Sequence, residues 1–198
     1  MPADTVVLAT RNEGKLRELA RILDTERLVG LDAFPDVPDV PETEATFEGN
    51  ALLKARAIAA YTGLPAVADD SGLCVDALNG MPGVLSARWA GKHGDDQANL
   101  DLLLAQIADV PEARLGARFV CAAALVDPAG GEWVTTGEVA GRLIRERRGS
   151  GGFGYDPVFV PSGFQETTAE MTPEAKDAIS HRGRAFRALA PYIQGKLT

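Results

Sequence analysis

A short apolar run, TVVLAT (5–10), gives way within a few residues to the helical period of NEGKLRELARIL (12–23). Leu16, Leu19, Ala20 and Leu23 fall at i, i+3, i+4 and i+7, one face of an amphipathic helix. A buried strand followed at once by such a helix commits a chain to layered α/β packing. The pairing recurs. FEGNALLKARAIAAYTG (47–63) reads as a helix with Thr46 as N-cap and Gly63 closing it. LPAVADD (64–70) reads as a strand that ends at its two carboxylates, and SGLCVDALNGMPGVLSARWAG (71–91) as turn-rich. DDQANLDLLLAQI (95–107) is helical again. ARFVCAAALVD (117–127) and EWVTTGEVAGRLI (132–144) then follow as strands with no helix between them, so the expected sheet is mixed rather than all-parallel. The second of these runs is read as one or two strands around Gly137. A final helix opens at Thr172 and Pro173 and breaks near Ser180.

Composition narrows the function classes. The 198 residues are 45% hydrophobic, enough for a sizeable core in one domain spanning 1–198. Twenty basic against 28 acidic residues give a net charge of −8, which argues against a general nucleic-acid surface. A small anionic ligand stays open, because a local basic cluster can outweigh the global sign. No segment approaches the roughly 18 apolar residues of a membrane span, and MPADTVVLAT lacks the basic region of a secretion signal. Cys74 and Cys121 lie in apolar, strand-like contexts without a CxxC spacing, so they are expected to be buried free thiols in a reducing cytoplasm.

Four constellations carry chemistry. TRNEGK (10–15) is a strand-to-helix turn, and a helix opening with Thr10, Asn12 and Lys15 beside it suits phosphate; a capped turn with a surface lysine reads equally well. Glu42, Asp69 and Asp70, with Lys54 nearby, offer hard oxygen ligands of the kind Mg²⁺ takes together with phosphate. Strand alternation puts Asp69 and Asp70 on opposite faces, so one of them is expected at the site. Asn50 and Lys54, four apart, share a helix face, with Leu52, Leu53, Ala55 and Ala59 expected to pack inward. The plain alternative is a solvated acidic loop and turn. GSGGFGYDP (149–157) matches GxGxxG in form, but it runs into a strand, whereas the dinucleotide fingerprint must open a helix. Phe153 and Tyr155 offer aromatic faces for a base there, or simply pack. In KDAISHRG (176–183), Lys176, His181 and Arg182 are donors that would accept a 6-oxo purine and reject adenine, or form an exposed basic helix end.

In this order the motifs LATRNEGK, ETEATFEGNALLKA, ADDSGL, PGVLSARWAG, GGFGYDPVF and SHRGRA resemble those of the inosine triphosphate pyrophosphatase (XTP/dITP diphosphatase) family over residues 8–185. Arg11 inside the first motif, and Tyr155 where some relatives carry Trp, are small departures. The resemblance implies a long central mixed β-sheet flanked by helices, in two lobes with a nucleotide cleft between them, and a cytoplasmic homodimer. It implies Mg²⁺-dependent hydrolysis of ITP, dITP and XTP to the monophosphate and pyrophosphate. By the same resemblance, Thr10, Arg11, Asn12, Glu13, Gly14, Lys15 and Lys54 bind the triphosphate. Glu42 and Asp70 hold the metal, and Asp70 accepts the proton of the attacking water. Ser71 touches the nucleotide, and Phe153, Gly154, Tyr155, Asp156, Lys176, His181 and Arg182 form the base pocket. Asp69 is expected to be structural. A septum-formation-type nucleotide pyrophosphatase with another base preference shares the first strand–turn–helix, but the SHRG segment discriminates against it.

Overall fold

The computed structural model describes residues 5–11, 19 and 28–196. Six strands form one mixed sheet in the order β2-β1-β3-β4-β5-β6. They are β1 Val6–Leu8, β2 Leu28–Gly30, β3 Ala66–Val75, β4 Gly116–Val126, β5 Glu132–Leu143 and β6 Phe159–Pro161. β1 runs parallel to both β2 (Val7 opposite Val29) and β3 (Val7 opposite Ala66), whereas β5 and β6 are antiparallel (Arg142 opposite Val160). Among the described residues the α-helices with bounds are α1 Phe47–Thr62, α2 Asp96–Gln106, α3 Pro173–Ile179 and α4 His181–Gln194. The α/β class and the mixed sheet are those expected from the sequence. Among the described residues no helix is long and apolar enough to cross a membrane.

The chain divides into two compact units. The first comprises residues 1–70, 121–137 and 182–198, the second 71–120 and 138–181, so β3, β4 and β5 contribute to both. The first unit has a core of Val6, Leu8, Val67, Leu125, Phe186 and Leu189, all buried. The second has its own, around Leu73, Leu100, Leu103, Ile107, Leu143 and Phe159. Leu19 is helical and buried in the first core; the rest of the helix expected over 12–23 lies outside the described residues.

The expected caps are present. Thr46 Oγ1 accepts the Gly49 N–H at 3.0 Å and Thr172 Oγ1 accepts that of Ala175 at 3.2 Å, each satisfying a donor that a helix start leaves without a partner. Ser180 is extended (φ −62°, ψ 151°) and separates α3 from α4, where the break was expected.

Two expectations need correction. β3 does not end at Asp70 but continues through Val75. The Ser-Gly pair that suggests a turn instead permits close packing: a Cβ on Gly72 would run into the Gly83 carbonyl and the Ser86 hydroxyl. That hydroxyl accepts the Leu73 N–H at 2.9 Å and donates to Gly83 O at 2.7 Å, so the flanking segment holds the strand extended. On α1 the fully buried face is Asn50, Ala51, Ala55, Ile58 and Ala59, with Leu52 and Leu53 only half-buried. A buried amide must find partners, and Asn50 finds one in Asp70, which helps fix the rotation of the helix.

Candidate active site

β3 carries Asp69 and Asp70 side by side in mid-strand, both almost wholly buried. Alternation sends them to opposite faces, and their partners differ accordingly. Asp69 Oδ2 lies 3.3 Å from Arg182 Nε at the start of α4 and 3.9 Å from the Cys121 thiol on β4. Asp70 faces α1: its Oδ2 accepts from Asn50 Nδ2 at 3.0 Å, and its Oδ1 lies 3.8 Å from Lys54 Nζ. Asn50 in turn accepts the Glu44 N–H at 2.9 Å, tying the helix to the Pro-rich loop before it. That loop delivers Glu42, whose Oε1 accepts from Lys54 Nζ at 2.6 Å.

Glu42, Asn50, Lys54 and Asp70 therefore form one cluster within the first unit, as the i, i+4 spacing on α1 suggests. Burial pulls the Lys54 pKa down. The charges of Asp70, Asp69 and Glu42, with the Glu42 hydrogen bond, outweigh that pull and leave it raised. A site that stabilises an ammonium this way favours positive charge in general. Its oxygens are hard ligands, the type Mg²⁺ selects. Among the described residues no group of three or more His, Cys, Asp or Glu is placed to hold a metal ion unaided. A cation there would complete its shell with phosphate and water oxygens, as Mg²⁺ commonly does.

The remaining residues expected around the triphosphate are placed in part. Thr10 is half-buried just past β1. Arg11 is tied to the loop ahead of Glu42, donating to the Val37 carbonyl at 2.7 Å and pairing with Asp39 at 3.2 Å. Asn12, Glu13, Gly14 and Lys15 lie outside the described residues. Ser71 follows Asp70 in β3, half-buried.

The second unit holds a recess lined by Phe119, Val139, Asp156, Thr168, Lys176, Ile179, Ser180 and His181. Phe119 anchors its wall, stacked on His181 (centroids 4.9 Å, planes 13° apart) and edge-on to Phe159 at 4.7 Å. Asp156 organises its polar side. Its Oδ2 accepts from Lys176 Nζ at 2.6 Å and from the Phe153 N–H at 2.8 Å. Lys176 Nζ also sits 5.2 Å from the centre of the Phe153 ring. Asp96, in the first turn of α2, accepts the Gly154 N–H at 2.9 Å and ties the glycine-rich loop down.

Of the residues expected at a base, Asp156, Lys176 and His181 line this recess, and Phe153 and Gly154 belong to the loop bonded to Asp156 and Asp96. Tyr155 lies in the core, its hydroxyl donating to the Ser86 carbonyl at 2.8 Å, and burial pushes its pKa well up. The Arg182 side chain engages Asp69 in the first unit. Sequence reasoning missed Phe119, Asp96 and Thr168. An aromatic in an apolar strand, an acid beside a cap and one of two adjacent threonines give no local signal of a site.

Comparisons with known proteins identify the family. The sequence profile of the Ham1 family matches residues 6–192. A Streptomyces coelicolor protein named dITP/XTP pyrophosphatase is 61% identical over 193 residues, 96% of each chain. The crystal structure of a Mycobacterium abscessus nucleoside-triphosphatase, or dITP/XTP pyrophosphatase, superimposes with a TM-score of 0.78 at 58% identity, covering 94% of this chain and 99% of its own. A HAM1 protein from Coxiella burnetii gives 0.86 at 41% identity, covering 96% and 98%. This chain belongs to the Ham1 family.

Proposed function

We propose that this chain hydrolyses non-standard purine nucleoside triphosphates, namely dITP, ITP and XTP, to the nucleoside monophosphate and pyrophosphate. Relatives about 60% identical over nearly the whole chain bear the name dITP/XTP pyrophosphatase. The observation that carries the reading to particular residues is the Glu42–Lys54–Asp70 cluster, in which one half-buried ammonium is held by two carboxylates. The family match running from residue 6 to residue 192 supports treating 1–198 as one catalytic domain.

Phosphoryl transfer needs positioning and charge neutralisation more than covalent help. Lys54, kept cationic by its neighbours, offsets the charge of the triphosphate, and Thr10 to Lys15 are assigned the same task. Glu42 and Asp70 are the residues that would hold Mg²⁺, which when bound withdraws charge from the phosphate oxygens. Asp70 is assigned as acceptor of the proton from the attacking water. Its orientation is set by Asn50, whose amide is itself fixed by the Glu44 backbone. Asp156, Lys176 and His181, with the Phe153 loop, are assigned to the base, where Lys176 and His181 donate to a 6-oxo group. Adenine presents a donor at that position and would leave these groups facing a like partner. Ser71, Tyr155 and Arg182 complete the assignment carried over from the family motifs. We also read the enzyme as a cytoplasmic homodimer. Two buried free thiols support the reducing compartment, and light scattering of the purified protein tests the dimer.

Pyrophosphate release across a nucleotide panel, with and without Mg²⁺, tests the function. Turnover of dITP, ITP and XTP with little from dATP, and only with the cation present, is expected. Equal turnover of the four standard dNTPs would overturn the reading, and a preference for other modified bases would favour the septum-formation type.

A further inference from the structure

Asp156 uses its two oxygens differently. Oδ2 faces the groups assigned to the base, taking Lys176 Nζ at 2.6 Å and the Phe153 N–H at 2.8 Å. Oδ1 faces away from those two and receives the Thr168 hydroxyl at 2.7 Å. The same hydroxyl lies 3.2 Å from the Asp156 carbonyl, so its single proton goes to the nearer carboxylate oxygen. Thr168 is itself fixed. It is buried, and its N–H donates to the Phe159 carbonyl at 3.0 Å, which docks it on β6.

The torsion that turns a carboxylate about its last bond is soft. Asp156 therefore holds its plane only if its partners define it. Lys176 has a long, flexible stem and cannot set that plane, because its own position follows the carboxylate. On the other side Gly152, at φ +71°, lets the loop backbone approach Oδ2 where a Cβ would collide with it. Thr168, docked on β6, fixes Oδ1 as the Phe153 N–H fixes Oδ2.

We propose that Thr168 is a positioning residue for base recognition: its hydroxyl sets the plane of the Asp156 carboxylate, which in turn aims Lys176 and the Phe153 loop at the bound ring. The proposal rests on the assignment of the recess to the base. Without the hydroxyl, Oδ1 loses a buried donor, the carboxylate turns, and Lys176 no longer stands where it tests the ring oxygen. Binding of the preferred base weakens, while the groups around Asp70 are untouched.

The test compares Thr168→Val, which keeps the shape and removes the donor, with Thr168→Ser, which keeps the donor. Initial rates with dITP and dATP give kcat and KM for each, and thermal unfolding is recorded alongside. Thr168→Val is expected to raise KM for dITP about tenfold and to narrow the preference for dITP over dATP by a similar factor, with kcat within about threefold of the wild type. Thr168→Ser is expected to restore both. A valine variant that loses stability yet keeps its preference assigns Thr168 to the fold alone and overturns the proposal. So does a serine variant as impaired as the valine one, since packing of the methyl would then be responsible. Thr168→Ala takes the place of valine should crowding prevent folding, with the same expected and overturning results. A wild-type enzyme with no preference for dITP overturns the underlying function instead, whatever the variants do.

Discussion

Each of the two units holds a lysine against a carboxylate at 2.6 Å, Lys54 on Glu42 and Lys176 on Asp156, and the surroundings of the two pairs differ. Lys54 lies in the field of Asp70 and Asp69 as well as Glu42, and those charges raise its pKa against the pull of burial. Lys176 is matched to Asp156 beside the face of Phe153, in a recess also walled by Phe119. The first setting is dense in charge and suits a polyanion arriving with a cation. The second is balanced and aromatic, and suits a neutral ring that is read by hydrogen bonds. One type of ion pair therefore serves two tasks, distinguished by what packs around it.

Substitutions sharpen this contrast. Asp70→Asn keeps an acceptor for the Asn50 amide but removes the charge. It is expected to lower pyrophosphate release about 10³-fold or more for every nucleotide alike, while the variant still folds. Near-normal turnover would remove Asp70 from the chemistry. Lys176→Met is expected to act on the base only. The ratio of kcat/KM for dITP over dATP should fall about 10- to 100-fold, as the loss of one required donor implies, and a uniform loss across bases would erase the distinction between the two lysines.

The smallest expected effect concerns pH. Because the Lys54 pKa is raised on folding, the stabilisation it brings is complete below the ordinary lysine value of about 10.4 and fades only as pH rises through the higher folded value. Its ammonium should therefore stay protonated from pH 6 to about 10, followed by NMR of labelled lysine. A Lys54 signal that titrates within that window would show that burial, rather than the carboxylates, dominates.

Much of this was readable from the residues. Thr46 and Thr172 announced their helices because a cap is a local event, decided within four positions. The opposite facing of Asp69 and Asp70 followed from the two-residue period of a strand. The continuation of β3 past Asp70 was hidden, because Ser71-Gly72 has the composition of a turn, and only the approach of Ser86 from fourteen residues on explains the glycine. Asn50 was recognisable as a polar residue beside Lys54, but its control of the rotation of α1 depends on Asp70, twenty residues away. Thr168 gave no signal at all, since its importance lies in where Asp156 turns its second oxygen.

The adjacency of Asp69 and Asp70 also limits how this protein can change in length. Inserting or deleting one residue in β3 between the β1 pairing and Asp70 would exchange the faces of the two carboxylates, presenting one to α4 and the other to α1 in reversed roles. Variation in length is thus barred from this stretch.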